Sequence, residues 1–142
     1  MVQAYAVPLS ERIQGPIVAV TNHDDDILII ETFAKGQRTG HYNSCPGCFD
    51  EDPSPEDLRP EFLAMEGFLA LGEDVTVDAL TNALNPEERY VFALYAHEAA
   101  VDLFELPPLS VGLGYRYITR GEFALPQETR VFGGVELPRP AD

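Results

Sequence analysis

Apolar and polar positions change rhythm twice along the chain. PIVAVTN (16–22) and DILIIETFA (26–34) are rich in β-branched residues and flank the polar cluster His23-Asp24-Asp25-Asp26, which predicts two strands joined by a loop of three or four residues. Gln3 to Val7 reads as a further short strand ending at Pro8, and Pro8 and Pro16 limit how centrally these segments pair.

From 35 to 55 the pattern is broken by Gly36, Gly40, Pro46, Gly47, Pro53 and Pro55, which predicts a connector longer than an ordinary loop. Helical spacing follows. Ser54-Pro55-Glu56-Asp57 has the marks of a helix start that Pro60 shortens or kinks, and Leu58, Phe62, Met65 and Leu69 recur every three or four residues up to Gly72. Thr76 is placed to cap a short helix carrying Val77, Leu80 and Leu84. Asn85-Pro86-Glu87-Glu88 opens the longest predicted helix, from 86 to about 105, which is apolar on most sides and is stopped by Pro107 and Pro108.

The strand rhythm returns in SVGLGYRYIT (110–119) and TRVFGGVEL (129–137), and a tail closes the sequence. The order β, α, β predicts an α+β fold in one domain, 1–142. In it the N-terminal β-hairpin (segment 1–34) and the C-terminal strands (107–137) form a mixed or antiparallel sheet. The sheet packs on a central three-helix segment (56–106), with 35–55 as connector and 138–142 as tail.

Composition supports a folded chain. At 142 residues, with 45% apolar and 23% charged side chains, there is enough apolar surface for a core, which excludes a disordered polyanion. No apolar stretch approaches the roughly 20 residues of a membrane span. MVQAYAVPLSER lacks the basic and apolar regions of a secretion signal, so the expected location is cytoplasmic.

Charge alters the picture more than composition does. The formal net charge is -15, and residues 50 to 105 hold fifteen carboxylates against Arg59 and Arg89 alone. Glu56, Asp57, Glu87 and Glu88 fall at predicted helix starts, where the helix dipole favours acids. Asp50, Glu51, Asp52, Glu98, Asp102 and Glu105 have no such local reason, and the last three share one face of the predicted long helix. They are the candidate partner-binding residues.

An acidic surface of this kind suits a basic, possibly nucleic-acid-binding, protein partner, as small acidic inhibitors and nucleic-acid mimics do by charge and size. Plain solubility is the blander explanation. Direct nucleic-acid binding is disfavoured, because too few basic side chains are present to displace counterions from phosphates. The apolar long helix also allows a homodimer, with Tyr90, Phe92 and Tyr95 either in the core or on the dimer face.

One motif suggests a metal. Cys45-Pro46-Gly47-Cys48 has the spacing of half a zinc ribbon, and His41 is near enough in sequence to be a third ligand. A zinc-stabilised accessory domain organised by His41, Cys45 and Cys48 is therefore the second functional class, and zinc is the one cofactor the sequence suggests. The alternatives are a pair of reduced thiols in a tight turn and a CxxC-dependent redox enzyme. The redox use is weakened by the carboxylates at 50–52, which raise thiol pKa values.

Other chemistry finds little support. His97-Glu98 lacks the second histidine of a zincin, since position 101 is Val, and reads as a surface or half-buried histidine. The aspartates at 24–26 lack the alternation of a calcium loop. No phosphate-binding glycine loop and no nucleophile elbow occurs.

Overall fold

The computed structural model describes residues 3–85, 92–107 and 111. The chain divides into two compact units, Met1–Pro108 and Leu109–Asp142, and the fold below is that of the first. The predicted strands at 110–119 and 129–137, the tail, and residues 86–91 with Tyr90 lie outside the described residues.

Four strands form one antiparallel sheet in the order β1-β2-β3-β4, namely Ile17–His23, Ile27–Ala34, Gln37–Asn43 and Glu61–Ala64. The helices are α1 (Gln3–Arg12), α2 (Glu66–Leu69), α3 (Val77–Leu84) and α4 (Ala93–Leu103). This is an α+β fold.

The β1–β2 hairpin follows from its sequence: His23 pairs with Ile27 across a three-residue loop, and Asp24 and Asp25 take the positive φ that Asp tolerates. The next hairpin turns on Lys35 and Gly36, both at positive φ, as a two-residue loop with the native strand twist requires.

Alternation along β2 divides its side chains between two faces. Leu28 and Ile30 join Tyr42, Phe68, Leu80, Leu84 and the α4 residues Ala93, Ala96, Ala100 and Phe104 in the main core. Small alanines let α4 lie close to its neighbours. The rings of Phe68 and Phe104 stack with centroids 5.7 Å apart, and Tyr42 Oη donates to the Leu84 carbonyl at 2.7 Å, tying β3 to the end of α3. Glu31, on the other face of β2, is reached by Gln3 of α1.

The helical segment differs from its prediction in three places. Glu61–Ala64 is a strand, because Tyr42 and Asn43 offer it an unfilled sheet edge, and only one helical turn, Glu66–Leu69, follows. The turn is short because the chain must pass close under the sheet: a Cβ on Gly67 would strike the hydroxyls of Thr32 and Thr39, which bond each other at 3.1 Å. Phe92 is extended (φ −123°, ψ 141°), so α4 starts at Ala93 and does not continue from 86.

Two further differences lie nearer the N-terminus. Gln3–Arg12 is a helix that contains Pro8, not a strand ending there. Its buried side chains, Ala6 and Ser10, are one turn apart, and Ser10 Oγ accepts the Gly36 N–H at 2.9 Å. Within the predicted connector, Gln37–Asn43 is β3. The Thr76 cap is as predicted, its hydroxyl accepting the Ala79 N–H at 3.1 Å.

Candidate functional site

Antiparallel pairing brings three separate pieces of sequence to one end of the sheet. The β1–β2 turn lies there, and so does the segment leaving β3, where the Ser44 N–H donates to the Leu28 carbonyl at 2.9 Å. The third piece is the N-terminus of α4. Asp25 accepts the Ala93 N–H on its carbonyl at 2.9 Å and the Leu94 N–H on its carboxylate at 2.7 Å. The carboxylate thereby supplies the cap that Phe92 lacks, where the helix dipole favours negative charge.

The CxxC loop is tightly folded at this end. Cys45 is buried and disulfide-bonded to Cys48, their Cα atoms 5.4 Å apart. Gly47 donates to the Asp57 carbonyl at 2.7 Å, and Asp50 donates to the Gly47 carbonyl at 3.0 Å. Asp57 is fixed in turn by Ser54, whose hydroxyl and N–H donate to its carboxylate at 2.7 and 2.9 Å and hold its carboxyl below the usual range. Ser54-Pro55-Glu56-Asp57 therefore closes one isolated turn instead of opening a helix.

His41 stands directly opposite Glu31 in the β2–β3 register. Its Nδ1 lies 3.3 Å from Glu31 Oε1, the oxygen that also accepts from Arg38 at 3.0 Å and from Gln3 at 2.8 Å. Burial pushes the Glu31 carboxyl up, and the bonds from Arg38, Gln3 and His41, with the nearby His41 charge, outweigh burial and leave it below its ordinary value. Thus His41 is engaged in a polar cluster under α1. Among the described residues no three His, Cys, Asp or Glu side chains are grouped so as to hold a metal.

All six carboxylates singled out in the sequence are exposed. Among the described residues the ion pairs are His23–Asp24, Arg38–Glu31 and His41–Glu31, so none of the six is paired with another described residue. They do not form a single group. Asp50, Glu51 and Asp52 follow Phe49, whose ring meets that of His23 at the start of the Asp24–Asp26 turn (ring centroids 5.3 Å apart). Glu98 and Asp102 run along α4, and Glu105 ends next to Glu73 and Asp74 around an open cavity of about 190 Å³.

Sequence reasoning missed the aromatic part of this surface. Phe49, Phe92 and Tyr95 are exposed, so of the two placements the sequence left open for the last two, core or outward face, the outward one holds. For Phe49 the signal was its place between a tight CxxC turn and three acids, where nothing apolar adjoins it in sequence. His97, read as surface or half-buried, is 4% exposed. Burial holds its imidazole pKa down against the raising effect of Glu98, and neither ring nitrogen has a hydrogen-bond partner among the described residues.

Comparison of the chain with protein-family models, with curated proteins and with solved structures finds no match. No helix among the described residues is long and apolar enough to cross a membrane.

Proposed function

We propose that this chain is a small acidic interaction protein that docks on a basic protein partner through its exposed carboxylates, in the manner of an inhibitor or nucleic-acid mimic. One observation carries the reading: Asp25, Glu31 and Asp57 are each committed to internal hydrogen bonds, whereas Asp50, Glu51, Asp52, Glu98, Asp102 and Glu105 are exposed and unpaired within the described residues. Charge held on a folded frame and left unneutralised raises association rates with cations and makes binding salt-sensitive. The proposed compartment is the cytoplasm, where basic nucleic-acid-binding proteins are plentiful and the Cys45–Cys48 bond would be exposed to reductants.

The test is capture of partners from the native host on the immobilised chain, with elution by a salt gradient. Basic proteins should elute at rising salt and should not be retained when the six carboxylates are replaced by their amides. Retention of the same proteins by both forms would contradict the reading.

A further inference from the structure

Two pairs of exposed rings flank the Asp24–Asp26 turn. On one side Phe49, 71% exposed, makes a T-shaped ring contact with His23, the residue that begins the turn. On the other, Phe92 and Tyr95 lie with centroids 6.1 Å apart at the start of α4, which Asp25 holds through two backbone N–H groups. Both rings of this second pair are about half exposed.

Neither side is loosely held. The Gly47 hydrogen bonds fix the loop before Phe49, and the Asp25 cap fixes the backbone after Phe92. Exposed apolar rings on a held backbone mark a binding surface more strongly than rings on a free one. Asp24 and Asp26 stand in the turn itself and Asp50, Glu51 and Asp52 follow Phe49 directly in the chain, all five exposed.

We propose that this aromatic and acidic end of the sheet recognises an arginine-rich segment of a protein partner. The inference rests on the docking function proposed above and specifies its place and chemistry. Guanidinium is the group that uses both halves of the surface, because it stacks flat on aromatic faces and pairs bidentately with carboxylates. Lysine, a compact and strongly hydrated charge, uses chiefly the carboxylates. A second copy of this chain is the wrong occupant, since an isologous contact would set five acids of one copy against five of the other.

The test titrates the full chain with two short synthetic peptides of equal length and charge, one arginine-rich and one lysine-rich, followed by fluorescence anisotropy. The arginine peptide should bind at least about fivefold tighter, as stacking on two or three exposed rings implies. Phe49→Ala should remove much of that gap and leave the lysine peptide unaffected. Phe49 is exposed, so its truncation should spare the fold, which circular dichroism checks.

Equal binding of the two peptides with no effect of Phe49→Ala, but weakening by Asp50→Asn, Glu51→Gln and Asp52→Asn together, would overturn the arginine inference and leave the docking reading standing. Failure of both peptides to bind at low salt would count against both. A dimer in sedimentation that Phe49→Ala abolishes would overturn the inference in favour of a second copy.

Discussion

Asp25 and Leu94 are 69 residues apart, and the carboxylate of the first accepts the backbone N–H of the second at 2.7 Å. A turn that reads in the sequence as a polar hairpin loop is therefore the cap of the longest described helix. Without it the first N–H groups of α4 would lose an acceptor and the dipole a facing charge.

Asp25→Ala should lower stability by about 1 to 2 kcal/mol, from the lost cap and from placing alanine at positive φ. Asp25→Asn keeps an acceptor and a tolerated conformation and should cost less. Asp26→Ala, at an exposed position, should stay within about 0.5 kcal/mol. Urea unfolding midpoints of the three variants check the order, and equal effects at 25 and 26 would refute the capping role.

Gly67 packs against the Thr32 and Thr39 hydroxyls with no room for a methyl group. Gly67→Ala should destabilise the fold by about 1 to 3 kcal/mol through displacement of buried neighbours. Gly15→Ala is the control, since a Cβ there meets only ordinary contact at 3.9 Å. Chemical denaturation distinguishes them.

Stability should fall twice on acidification. Burial depresses the His97 pKa, so below about pH 6.5 the unfolded chain takes up a proton that the folded chain refuses, and stability drops as pH falls from there towards the folded value. The folded Glu31 pKa is also depressed, so its contribution is present above about pH 4.3, the unfolded carboxyl value, and is lost as pH falls through the folded value. His97→Leu should remove the first drop, and because it replaces an unpartnered buried polar ring it should raise stability at neutral pH by about 1 kcal/mol. Midpoints measured from pH 7 to pH 3 check both. A wild-type curve flat between pH 7 and 5 would contradict the histidine account.

The parts of the fold legible in sequence are those decided locally. The β1–β2 hairpin announces itself by β-branched runs around a polar turn, and α3 by the Thr76 cap, and both lie where the pattern puts them. What escaped is decided by neighbours. Gln37–Asn43 has a weak strand pattern and is a strand because β2 supplies a partner, while Glu61–Ala64 has helical spacing and is a strand because β3 still has a free edge. Helix α1 escaped because Pro8 and a buried face of only Ala6 and Ser10 give it almost no amphipathic signal. The candidate site divides in the same way: exposed acids can be counted in a sequence, but the meeting of Phe49, the Asp24–Asp26 turn and the start of α4 depends on strand pairing.

The central claim is that the unpaired carboxylates bind a cationic partner, and its most direct measurement is affinity against salt. With a basic protein recovered by capture, or the arginine peptide in its place, the dissociation constant is measured from low to physiological salt for three forms. These are the wild type, a variant with amides at Asp50, Glu51 and Asp52, and one with amides at Glu98, Asp102 and Glu105. The wild type should weaken steeply as the screening length shrinks to about 8 Å, and the first variant should bind less tightly with a clearly shallower slope. An affinity that ignores salt, or that neither variant changes, would contradict the account.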